Sequence, residues 1–74
     1  MKIKVKMRIR AVRKSKGMTI AELSSLSGIS ASFISMAERN YQYPTIYVLC
    51  VLAAALEVSP DQLYTYTIKE DPFV

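Results

Sequence analysis

Apolar and polar residues follow two different periods along this chain. Lys2-Ile3-Lys4-Val5-Lys6 alternates at every second position, the spacing of a strand with one apolar face. From Met7 the spacing becomes helical. Met7, Ile9 and Val12 predict a first helix over about 7–16, stopped at Gly17 after the basic turn Lys14 to Lys16. Thr19-Ile20-Ala21-Glu22 has the form of a capping box, in which the Thr19 hydroxyl accepts from the Glu22 amide and the Glu22 carboxylate accepts from the Thr19 amide. The helix it opens runs to about Ser27, burying Ile20 or Ala21 with Leu23 and Leu26, and ends at Gly28.

Ser30 is placed to cap a third helix over about 31–39, with Ile34 and Ala37 inward and Phe33 or Met36 at the edge. Asn40-Tyr41-Gln42-Tyr43-Pro44 reads as a loop, because proline disfavours helix at the residue before it and Asn40 tolerates the left-handed conformation. Thr45 caps a fourth helix over about 46–57. Ser59-Pro60-Asp61-Gln62 repeats the capping-box form, with proline at the first helical position, and predicts a short fifth helix. Residues 63–69 alternate again and favour a strand, while Glu70 to Val74 read as a frayed tail.

Composition narrows the class. Seventy-four residues, about half of them apolar, make one domain with one small core. The longest apolar run, Ile46 to Leu56, is far short of the roughly 18 residues a membrane span needs, and the apolar stretch of a secretory signal is missing. A cytoplasmic protein without membrane association is expected. Cys50 is the single cysteine and, inside that run, is expected to be a small buried hydrophobe. With no histidine, and no base to activate Cys50, nothing supports an enzyme; no metal ligand set, cofactor motif or small-molecule site is evident. Eight of the ten basic residues fall in the first sixteen positions, a basic end that suits a polyanion such as DNA or serves as a solvated face.

Residues 19–39 are the informative unit: two capped helices joined by a tight turn at Ser27-Gly28-Ile29, in which the first helix braces the second at a steep angle. Ser24 is small enough for close approach, and Leu23, Ile29 and Ile34 pin the angle. Around this unit stand Arg-Lys-Ser-Lys-Gly-Met-Thr (13–19), Ala-Glu-Leu (21–23), Ser-Gly-Ile-Ser (27–30), Phe-Ile-Ser (33–35), Ala-Glu-Arg-Asn (37–40), Pro-Thr-Ile (44–46) and the run from Leu52 to Leu63. Together and in this order they resemble the Cro/C1-type, or xenobiotic-response-element type, helix-turn-helix family from about Ile9 to Leu63.

The resemblance implies an all-α, five-helix lambda-repressor-like domain that binds double-stranded DNA as a sequence-specific transcriptional regulator, in the repressor sense. The single domain would span 1–74, with a helical core over 7–63 and flanking extensions 1–6 and 64–74. It implies base-facing positions Ala31, Ser32, Phe33, Ser35 and Met36, and a structural ion pair between Arg13 and Glu38. Phosphate contacts would come from Thr19, Ile20, Arg39, Asn40, Tyr41, Gln42 and Tyr43. The head departs from strong readout: before Arg39 it has no Arg, Asn or Gln for bidentate base contacts, and Ile20 stands where a polar residue is usual. The alternative use of such a scaffold is as a protein-interaction module or antirepressor with weak DNA binding.

The fourth helix is apolar all round and must be covered all round. Ile46, Leu49, Leu52 or Ala53 and Leu56 are assigned to the bundle. Tyr47, Val48, Val51, Ala54 and Ala55 are left outside, and Tyr47, Val48, Val51 and Ala54 are assigned to a homodimer interface. The two alternating termini are expected to pair, within or between chains, and to lie on the fourth or fifth helix; a disordered basic arm along DNA is the competing arrangement for Lys2 to Lys6.

Overall fold

The computed structural model describes residues 1–70, in the order β1 (Lys2–Met7), α1 (Ile9–Ser15), α2 (Ile20–Ser27), α3 (Ala31–Glu38), α4 (Ile46–Leu56), a single 3-10 turn (Pro60–Leu63) and β2 (Tyr64–Lys69). The last part of the predicted tail, 71–74, lies outside the described residues. Local capping sets most boundaries. Thr19 and Glu22 form the reciprocal box, while Ser30 and Thr45 accept from the amides of Phe33 and Val48. Gly17 and Gly28 take the left-handed conformation at φ +66° and +75°. After α3 the Asn40 amide donates to Ala37 and the Tyr41 amide to Met36, a Schellman turn with Asn40 as its left-handed residue at φ 61°.

Two boundaries depart from the sequence pattern. The first helix starts at Ile9, not Met7, because Met7 is still paired with Tyr64 in the β-ladder. The predicted fifth helix is only the 3-10 turn: Ser59 makes no side-chain cap, its hydroxyl donates to Asp61 instead, and Tyr64 is already extended. Among the described residues the fold is therefore four α-helices with a two-stranded sheet, rather than five helices.

Met7, Ile9, Leu23, Ile34, Ala37, Leu52, Ala53, Leu56 and Leu63 form the buried core. Three apolar assignments are corrected. Leu26 is 64% exposed and Ile46 81% exposed, and Cys50 also faces outward. On α4, Leu49 packs on the core as assigned, and Val48 and Ala55, assigned to the outside, pack there too. A helix carrying apolar residues on every side contains no signal for its own rotation; here the contacts with α2 and the 3-10 turn choose the inner face.

The termini pair within one chain, antiparallel, from Lys2 opposite Lys69 to Met7 opposite Tyr64. The ribbon does not lie along α4. Only its base, at Met7, Val5 and Tyr64, packs on the core, while Ile3, Tyr66 and Ile68 are each more than half exposed. The molecule measures 48 × 21 × 20 Å. These assignments predict a sharp contrast in urea denaturation: Leu52→Ala should cost about 2–5 kcal/mol, whereas Leu26→Ala should stay within about 0.5 kcal/mol.

Candidate nucleic-acid interface

The path of the chain turns through 120° between α2 and α3. Serine hydroxyls hold that turn: Ser24 donates to the Ile29 carbonyl at 2.6 Å and Ser27 accepts from the Ile29 amide at 3.1 Å. Sequence pattern shows Ser24 as a small residue but does not reveal this clamp.

A buried ion pair ties α3 to α1. Arg13 Nε donates to Glu38 Oε2 at 2.7 Å and its Nη2 to Oε1 at 3.0 Å, while Nη1 donates to the Met18 carbonyl at 2.8 Å. The two side chains are 10% and 5% exposed. The hydrogen bonds that Arg13 donates to Glu38 raise its pKa beyond its already high value, against the opposing effect of burial, so Arg13 is a permanent cation.

With its base anchored in this way, α3 presents its first turn outward. Ala31 and Ser32 are exposed, Ser35 and Met36 are half-buried on the same helix, and Phe33 leans on the core. Arg39 folds back along the helix end: Nε donates to the Ser35 carbonyl at 3.4 Å, Nη2 approaches Met36 Sδ at 3.6 Å, and the guanidinium lies 5.1 Å from the centre of the Tyr41 ring. A cation is thus held beside the exposed edge of α3 by a contact with an aromatic face.

At the start of α2 the capping box occupies the amides of Thr19 and Glu22. Those of Ile20 and Ala21 have no partner among the described residues and lie at the positive end of the helix dipole. The Ile20 side chain packs on the core, so only its backbone is available to an anion. In the loop after α3, Tyr41, Gln42 and Tyr43 are exposed. Asn40 is partly committed: its Oδ1 accepts from the Met7 amide at 2.8 Å. Tyr43 reaches the Val5 carbonyl at 3.5 Å. Neither contact had a local signal, because the partners are 33 and 38 residues apart.

On α4 the outer face consists of Ile46, Tyr47, Cys50 and Ala54, with Val51 half-buried beside them. Val48 belongs to the core side and leaves the surface assigned to it from sequence.

A helix-turn-helix family model matches residues 9–63. The chain belongs to the Cro/C1-type helix-turn-helix family. Similar members include the uncharacterized HTH-type transcriptional regulator y4dJ of Sinorhizobium fredii, 42% identical over 62 residues that cover 84% of this chain and 79% of y4dJ. The HTH-type transcriptional regulator SinR of Bacillus subtilis is 42% identical over 53 residues, covering 70% of this chain but only 48% of SinR. The chain thus spans about half the length of SinR. A crystal structure of SinR in complex with DNA superimposes with a TM-score of 0.69 at 40% identity, covering 73% of this chain and 87% of that one. The restriction-modification controller protein C.AhdI of Aeromonas hydrophila gives 0.71 at 31% identity, covering 74% and 83%.

The buried pair is a test of how this family member holds its helix-turn-helix. Glu38→Ala leaves a buried guanidinium without its carboxylate and should cost about 3–5 kcal/mol in urea denaturation. Replacing both partners, Arg13→Met with Glu38→Leu, should recover most of that loss.

Proposed function

We propose that this chain is a homodimeric, double-stranded DNA-binding transcriptional regulator acting as a repressor, with the first turn of α3 in the major groove. The carrying observation is the rigid 120° bend, which leaves Ala31 and Ser32 exposed at the end of a helix anchored from behind by Arg13. The solved DNA complex of SinR supports the same use of the fold. The protein acts by occupancy in the cytoplasm, not by catalysis.

Its contacts divide by type. Ala31 and Met36 suit thymine methyl groups, and Ser32 and Ser35 supply single hydrogen bonds, so direct readout is weaker than the about 1–3 kcal/mol of a bidentate Arg, Asn or Gln pair. Phe33 contributes at the edge only. Affinity therefore comes from the backbone: the free amides of Ile20 and Ala21 beside Thr19 on one side of the groove, and Arg39, Asn40 Nδ2, Tyr41, Gln42 and Tyr43 on the other. The exposed α4 face, Ile46, Tyr47, Cys50, Val51 and Ala54, is covered by a second copy. Such a dimer sets two α3 helices for half-sites about 34 Å apart.

Fluorescence anisotropy with random-sequence duplexes should show low-micromolar or tighter binding at low salt that weakens steeply as salt rises. Absence of binding at that level overturns the reading. Arg39→Ala should weaken all sequences alike and lower the salt slope by about 0.9, while Ser32→Ala should change the preferred sequence. For the dimer, Tyr47→Glu should convert the scattering mass to that of a single chain with the helical spectrum unchanged; a wild-type protein already monomeric at tens of micromolar contradicts the interface.

A further inference from the structure

We infer that the β1–β2 ribbon is a second DNA-contacting element, which lays its lysine face along the phosphate backbone of the duplex held by α3. The inference rests on the DNA-binding reading above and adds a site to it.

The ladder register sorts the ribbon into two unlike faces. Residues opposite each other share a face, so Ile3, Val5 and Met7 lie with Ile68, Tyr66 and Tyr64, while Lys2, Lys4 and Lys6 lie with Lys69, Thr67 and Thr65. The second face carries four cations and two hydroxyls, and neither strand contains a carboxylate. Lys2 sits directly across from Lys69, a like-charge pair that opposes ribbon formation in the free protein. Glu38, the acid that lines the groove at the ribbon base, is bonded to Arg13 through both oxygens. A polyanion removes this repulsion.

Position supports the same partner. The ribbon is fastened to the loop that follows α3, through Asn40 on the Met7 amide and Tyr43 on the Val5 carbonyl. These bonds occupy the outer edge of β1 and hold the lysine face at a set orientation to α3. At the ribbon base, Lys6 and Thr65 join Arg8, Arg10 and Lys14 around an open groove of about 620 Å³ that ends on Asn40 and Glu38. Lys6 thus belongs both to the lysine face of the ribbon and to the groove that Arg8, Arg10 and Lys14 line. Lysines two apart on a strand repeat at about 6.7 Å, so three of them form a straight comb. A duplex carries one phosphate per about 1.7 Å of axis, and a straight row of cations can neutralise several at once.

The test compares the full chain with the Lys2→Ala/Lys4→Ala/Lys6→Ala variant, and with arginine at the same three positions, on a random-sequence duplex. All three side chains are exposed, and circular dichroism should show unchanged helix content. Loss of three phosphate contacts should make the salt slope shallower by about 2.7, so that the variant loses about 40-fold less affinity than the wild type between about 50 and 200 mM salt. The arginine variant should keep the wild-type slope, and trimming the duplex to the α3 site should cost the wild type more than the alanine variant. A wild-type chain that binds while the alanine variant keeps the same slope overturns the ribbon contact alone. Failure of the wild type to bind any duplex overturns both proposals. If the alanine variant instead loses adhesion to phosphatidylserine vesicles with its duplex slope unchanged, the ribbon faces a membrane and the inference is wrong.

Discussion

The Arg13–Glu38 pair is the constraint around which this small protein is organised. One guanidinium uses Nε and Nη2 to hold the end of α3 and Nη1 to hold the Met18 carbonyl, just before the capping box that starts α2. Helices α1, α2 and α3 are thereby referenced to one planar group. Replacing such a pair with well-fitted hydrophobes often costs little, so its value lies less in net stability than in fixed geometry. A fork with two parallel hydrogen bonds resists rotation in a way that an apolar contact between the same positions would not. The 120° bend and the outward first turn of α3 are set against that fixed point.

For the proposed use in DNA binding a rigid frame matters more, because the side chains on the outward turn of α3 are sparse in hydrogen-bonding groups. In the proposed complex, alanine, serine and methionine on α3 are the groups offered to the bases, for methyl contacts and single hydrogen bonds, each tolerant of small changes in the partner. Discrimination then depends on holding the helix at one depth and angle, and on the shape and deformability of the DNA that accepts it. Arg39 shows the same economy. Its stacking on Tyr41 and its approach to Met36 order a long side chain before any ligand arrives, reducing the entropy lost on contact.

Two surfaces remain unsatisfied in the single chain, and they differ in kind. The outer face of α4 is apolar, with Ile46 and Tyr47 more than three-quarters exposed, and it calls for another apolar surface. The lysine face of the ribbon is its electrostatic counterpart, and it calls for negative charge. A two-stranded ribbon is marginal by itself in water. This one persists because its base enters the core at Met7, and because the Arg8 amide donates to the Leu63 carbonyl at 2.7 Å.

The sequence alone determined what depends on neighbours a few residues apart. The caps at Thr19, Ser30 and Thr45, the stops at Gly17 and Gly28, and the two alternating termini are written in three-to-five-residue patterns whose physics is complete locally. The order of these pieces carried the family. Tertiary structure decided the rest. Glu57 ends α4 in the left-handed conformation at φ 59°, which no local preference of glutamate would announce. Asn40 serves as the anchor for β1 because folding brings it to Met7 across 33 positions. Ile46 and Cys50 face water because packing, not hydropathy, sets the rotation of α4, whose sides are all apolar. Whether the predicted fifth helix would form was settled by Leu63, which is buried at the last residue of its turn just before the chain must extend into β2, leaving no room for a full helical turn.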